Sequence, residues 1–107
     1  MKFKKYRAQA EVQSTSTSIT PIDTLLFKCP ENSTVTCLTL EITAEADTIV
    51  YIKQLDKDEI LMFQTKIDVE ANDYIAFTHK LIFTEGQSLV IAADSDTAVV
   101  QAHCMIM

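Results

Sequence analysis

The first periodic stretch of the chain sets Tyr6, Ala8, Ala10 and Val12 on one side and Arg7, Gln9, Glu11 and Gln13 on the other. A strict period of two marks a half-buried strand. Residues 14–18 are all Ser or Thr and read as a connection leading into a Thr20-Pro21 turn. Alternation returns with Leu25, Phe27 and Cys29, stops at the turn-forming Pro30, Glu31, Asn32 and Ser33, and resumes at Val35 and Cys37. This pattern predicts a hairpin with Cys29 opposite Cys37. After Cys37 the apolar phase slips by one residue, to Leu38, Leu40 and Ile42, which points to a bulge or to a strand buried on both faces.

The second half is more regular. A β-branched run, Ile49-Val50-Tyr51-Ile52, lies within a strand over 48–55 that closes at the charged turn 56–59. Leu61, Phe63, Thr65 and Ile67 alternate next. A polar break at 70–73 leads into Tyr74-Ile75-Ala76-Phe77 and then Leu81-Ile82-Phe83. The only glycine, Gly86, stands between Glu85 and Gln87, where a turn most needs positive φ. Leu89, Ile91 and Ala93 alternate, Asp94-Ser95-Asp96 turns the chain, and Val100, Ala102, Cys104 and Ile106 form a last strand.

No segment carries a sustained 3.6-residue period with a cap, and turn signals recur about every eight to twelve residues. The expectation is an all-β fold: one antiparallel β-sandwich of about eight strands, of jelly-roll or related Greek-key type. An immunoglobulin-type sandwich ranks second, because its buried Trp is absent from this chain. The predicted core is built on Phe27, Leu40, Tyr51, Phe63, Phe77, Leu81, Leu89, Ile91 and Val100.

Length sets the scale. A chain of 107 residues fits one domain, residues 1–107, and leaves little volume for a deep enclosed active site. The net charge is −6, but Lys2, Lys4, Lys5 and Arg7 fall within the first seven positions, leaving five basic residues against fifteen acidic ones, a net −10. Residues 1–7 are therefore a basic amino-terminal arm on an acidic body, and the body would repel phosphate backbones and anionic membranes. Neither a nucleic acid as main partner nor a membrane is expected. The basic start is followed by small and polar residues rather than an apolar stretch, which predicts no secretory signal, and no long apolar run predicts a membrane span. A soluble protein made in a reducing cytoplasm is expected. Cys29, Cys37 and Cys104 are odd in number and lack metal-ligand spacing, so they read as reduced core residues rather than a disulfide scaffold.

Chemistry-bearing motifs are sparse. The two histidines, His79 and His103, sit in no nucleophilic signature, and both read as strand residues at a surface or interface. A zinc site from His79, His103, Cys104 and Cys37 is conceivable only if distant strands meet. The acidic groups Asp56/Asp58/Glu59 and Asp94/Asp96 read as solvated turns, since their spacing does not match a twelve-residue calcium loop. A single glycine excludes a Gly-rich phosphate loop. No catalytic residue, metal or cofactor is assigned. The apolar end Met105-Ile106-Met107 needs a cover, either the chain's own sheet or a neighbouring subunit, and Met suits an adaptable interface.

The order of these signals resembles small virion proteins of tailed bacteriophages. The match runs through residues 26–35, Leu38-Thr39-Leu40-Glu41-Ile42-Thr43 and Thr48-Ile49-Val50-Tyr51-Ile52, then through residues 67–73 and 81–91, with Asn72 and Gln87 standing where that family often has Gly and Asp. It covers most of residues 17–107. What the resemblance implies is a non-enzymatic structural component of the virion, a viral protein placed on the capsid as a decoration protein or at the neck, tail or fibre base. Major capsid protein, other virion proteins and further copies of the chain are the implied partners, as a homo-oligomer. The contact residues to test are Lys2, Lys4, Lys5 and Arg7 of the arm and Met105, Ile106 and Met107 of the end. Alternatives are a glycan-binding sandwich for host-surface adhesion, using exposed aromatics or acidic loops, and a small hydrolase if His79 and His103 converge.

Overall fold

The computed structural model describes residues 11–19, 23–94 and 98–106, with side chains over 23–94 and 98–106. Nine strands lie among the described residues: β1 (Glu11–Ile19), β2 (Thr24–Lys28), β3 (Thr34–Ala44), β4 (Thr48–Leu55), β5 (Leu61–Val69), β6 (Tyr74–Phe77), β7 (Leu81–Thr84), β8 (Ser88–Ala93) and β9 (Ala98–Ile106). One sheet runs β1-β9-β3, with β6 and β7 both on the far side of β3; the other runs β2-β8-β4-β5. Every pairing is antiparallel.

Strands β6 and β7 follow each other along one edge of β3, β7 against Thr34 to Cys37 and β6 against Leu40 to Thr43. They are one strand interrupted at residues 78–80. Counted so, eight strands lie among the described residues, and the chain changes sheet at every step except from β4 to β5. That succession makes a jelly-roll sandwich.

The phase slip after Cys37 is a bulge. Cys37 pairs with Cys104 and Thr39 with His103, so Leu38 is the extra residue on β3. Because of it, Val35 and Cys37 before the bulge and Leu40, Ile42 and Ala44 after it all point into the core. The interruption between β6 and β7 lies across from this point, so the irregularity is shared by both neighbours of β3.

Three expectations are corrected. Residues 14–18 belong to β1, pairing with β9 from His103 to Val99; a Ser/Thr run has enough β-branched residues to make an edge strand. The predicted hairpin does not form, because β2 pairs with β8 while β3 pairs with β9, β6 and β7. The turn at 30–33 carries the chain from one sheet to the other, so Cys37 faces Cys104 rather than Cys29. Tyr51 is not core: Val50, Ile52 and Gln54 form the inward row of β4, and Tyr51 lies on the outer face. A run of four apolar residues left the phase of this strand undetermined. Leu40, Leu81, Leu89, Ile91 and Val100 are buried as expected, and Phe27, Phe63 and Phe77 pack against the core from its margin.

The centre is Phe83, fully buried on β7 and meeting Phe27 of the opposite sheet edge to face, with centroids 4.8 Å apart at 78°. Burying a side chain of this size contributes about 1.5–3 kcal/mol. A polar tie lies beside it. Buried Gln54 of β4 donates from Nε2 to the Ile82 carbonyl at 2.9 Å and to Gln87 Oε1 at 3.3 Å, joining the two sheets.

Candidate functional site

A sandwich of this kind presents faces, strand edges and loops. Lys2, Lys4, Lys5, Arg7 and Met107 lie outside the described residues. Met105 and Ile106 are on β9, between β1 and β3, and both are half-buried. Ile106 packs against the core and is partly covered by it, while Met105 pairs with Thr36 on β3.

One edge of the smaller sheet stands out for its exposed apolar residues. β5 pairs with β4 on one side, and among the described residues no strand pairs with its other side. Phe63 and Ile67 turn inward and pack on the core, while Gln64, Lys66 and Asp68 are exposed. At the start of the strand, Ile60, Leu61 and Met62 are 61%, 50% and 52% exposed. Three consecutive exposed apolar residues on a free edge form a template for another strand, since the edge leaves N–H and C=O groups unpaired and the side chains offer apolar area. Lys66 and Asp68 guard the second half of the strand, so the undefended part runs from Ile60 to Gln64.

The turn before it is firmly built. Asp56 Oδ1 accepts from the Asp58 and Ile60 amides at 2.8 and 2.9 Å, and the Asp56 amide donates to the Ile60 carbonyl at 2.9 Å. These bonds hold Glu59 in the left-handed region, φ 64°, and fix where the apolar triplet begins. Asp56, Asp58 and Glu59 are thus turn residues, as the sequence indicates.

The outer face of the larger sheet carries a second feature. The Tyr74 hydroxyl of β6 donates to Glu41 Oε2 of β3, and His103 Nε2 of β9 lies against Glu41 Oε1. The Tyr74 hydroxyl and then His103 hold the Glu41 carboxyl below the usual carboxylate range, and the same bond pushes the Tyr74 phenol up. This is a polar strut across three strands. His79, expected within a strand, is instead exposed in the break between β6 and β7, stacked on Phe63 at 5.8 Å and tilted against Phe77 at 5.9 Å. The two imidazoles are held by different neighbours. Sequence reasoning missed the strut because Glu41, Tyr74 and His103 meet only through sheet pairing; the outward phase of Glu41 and His103 was its one visible trace.

An open hollow of about 390 Å³ lies among Asp47, Thr48, Ile49, Asp68, Val69, Glu70 and Asp94. Two of its four acids already have work: Asp47 Oδ1 accepts from the Ala71 amide at 2.8 Å, and Asp94, beside the Tyr51 hydroxyl, pushes that phenol up. Among the described residues no three or more His, Cys, Asp or Glu side chains gather to hold a metal ion.

No protein-family model matches the sequence, and neither does any curated protein. Solved structures do match. A chain from the structure of Bacillus endospore appendages, described as a novel family of disulfide-linked pili, superposes with a TM-score of 0.59 over 91% of this chain and 83% of its own, at 8% identity. The likeness is one of fold. A chain of the T13 IBDV viral particle superposes with a TM-score of 0.50 at 10% identity over 92% of this chain, which spans 31% of that larger chain. Both comparisons support the β-sandwich, and at such identities they carry no residue roles across.

Proposed function

We propose that the chain is a non-enzymatic structural subunit of a bacteriophage virion, made in the host cytoplasm, that decorates the capsid by binding the shell and further copies of itself. The observation that carries this reading is the open β5 edge with Ile60, Leu61 and Met62 displayed on a fixed turn. An exposed apolar strand edge is a liability in a solitary protein and a contact in an assembled one. Support also comes from the fold, since double-sheet jelly rolls are building blocks of viral capsids. The two superposed structures belong, in their printed descriptions, to pili and to a viral particle. The bacteriophage placement rests on the resemblance over residues 17–107.

The test is solution mass by light scattering across a concentration series, with electron microscopy of the same samples. The wild-type chain is expected to form multimers, and Met62→Lys, which adds a charge to the edge, is expected to dissociate them. Deleting residues 1–7 asks whether the basic arm contributes: unchanged occupancy on capsid shells removes the arm from the contact. A wild-type chain that stays monomeric at all concentrations and does not bind shells overturns the reading.

A further inference from the structure

We propose that Cys37 and Cys104 are the two halves of a reversible cross-strand disulfide that can bolt β3 to β9 within the larger sheet. The two residues are direct partners in the β3–β9 register. Both point to the core side, 1% and 6% exposed, and both are free thiols. The two thiols act on each other: Cys104 pushes the Cys37 thiol up, and Cys37 draws the Cys104 thiol down.

Geometry supports closure. Facing residues of an antiparallel pair keep their Cβ atoms about 4.5–5.5 Å apart, whereas a disulfide needs about 3.5–4.5 Å. The strands must therefore approach by roughly 1 Å at this pair. A regular ladder resists such a movement. Here the ladder is interrupted at the next residue, since the register shifts between Cys37 and Thr39, and a bulge is where a strand can bend without losing further hydrogen bonds. Cys29 is held apart from this chemistry: its Sγ lies 3.3 Å from the Ser33 carbonyl and 3.5 Å from that of Phe83, both backbone acceptors for its thiol.

Hydrogen peroxide is small enough to reach a thiol during local opening, and the step balances with it. The Cys104 thiolate, on the more open of the two residues, attacks one peroxide oxygen; the O–O bond breaks and hydroxide leaves, taking a proton to become water. The Cys37 sulfur then attacks the resulting sulfenic acid, the S–S bond forms, the S–O bond breaks, and a second water departs with the thiol proton. Two electrons pass from the thiol pair to the peroxide. A dithiol reductant reverses the bond by exchange.

The experiment treats the intact protein with hydrogen peroxide, alkylates the remaining thiols and digests it without reductant. The expected product is a cross-linked peptide pair containing Cys37 and Cys104, two hydrogens lighter than the separate peptides and released by dithiothreitol, with Cys29 recovered alkylated. Cys29→Ser should leave the cross-link in place, and Cys104→Ser should abolish it without linking Cys37 to Cys29. Recovery of Cys37 and Cys104 as alkylated thiols, their recovery as separate sulfinic acids, or a Cys29–Cys37 link would each overturn the proposal.

Discussion

Replacing Gly86 with Ala probes how tightly the two turns at one end of the sandwich are fitted together. Gly86 is the third residue of the turn from Thr84 to Gln87, which the Gln87 amide closes on the Thr84 carbonyl at 3.0 Å, and its φ is 82°. That is the position of a type II turn that requires a left-handed backbone. The turn is pinned on its other side: the Gly86 amide donates to the Cys29 carbonyl at 3.0 Å, and the Cys29 amide to the Gln87 carbonyl at 2.8 Å. A Cβ on residue 86 would stand 2.8 Å from Lys57 Cβ, an atom next to the backbone that no rotamer can move aside. The left-handed conformation costs an L-residue about 1–2 kcal/mol, and forcing an extra carbon into a closed contact typically costs about 1–3 kcal/mol. Ala returns about 0.4–1 kcal/mol by restricting the unfolded chain. The net expectation is a loss of about 2 kcal/mol, which for a chain of this length lowers Tm by roughly 8–16 °C. Thermal melting followed by circular dichroism measures it. Lys57→Gly removes the opposing Cβ, so in that background the Gly86→Ala penalty should shrink by about 1 kcal/mol while the conformational part remains. A Gly86→Ala melting point within about 2 °C of the parent would refute both the left-handed turn and the Lys57 contact.

Other perturbations test other parts of the fold. Gln54→Leu removes the donor to Ile82 and Gln87 and should cost about 1–3 kcal/mol in chemical denaturation; an unchanged midpoint would show that the tie between the sheets is idle. Glu41→Gln should bring the Tyr74 phenol down toward its ordinary value, seen as an earlier step in tyrosinate absorbance at alkaline pH. Glu41 titrates below its unfolded value of about 4.3, so what it adds to stability is present above that pH and is lost as pH falls through the lower folded value. The gap in Tm between wild type and Glu41→Gln should therefore be full at neutral pH and close in acid; a gap that widens below pH of about 4 contradicts the strut. Asn72, at φ 60°, stands in a left-handed position that Asn tolerates, so Asn72→Gly should leave Tm nearly unchanged while Asn72→Val lowers it.

Strands β5, β8 and β9 were legible because alternation and turn residues agree there, β4 was legible as a strand from its β-branched run though not in its phase, and Gly86 stands at the positive-φ turn its identity implies. The bulge was legible too, from a one-residue slip in apolar phase at Leu38. Sheet membership was not. A turn such as 30–33 looks the same whether it folds a strand back on its neighbour or carries it across to the other sheet, and the choice is made by residues far along the chain. Cys37 found Cys104 through that choice. The β5 edge was hidden for a related reason: which strand ends a sheet depends on sheet order, and locally Ile60-Leu61-Met62 looks like the start of an ordinary strand. Its signal was three apolar residues in a row directly after a charged turn, where a strand with one solvent face should alternate.

Amide hydrogen exchange, compared between dilute and concentrated protein, asks directly whether copies of this subunit meet along β5. Added protection at high concentration should be confined to Leu61–Val69 and absent from Met62→Lys. Protection that stays the same at all concentrations, or that rises on β1 or β2 instead, would contradict a β5 contact.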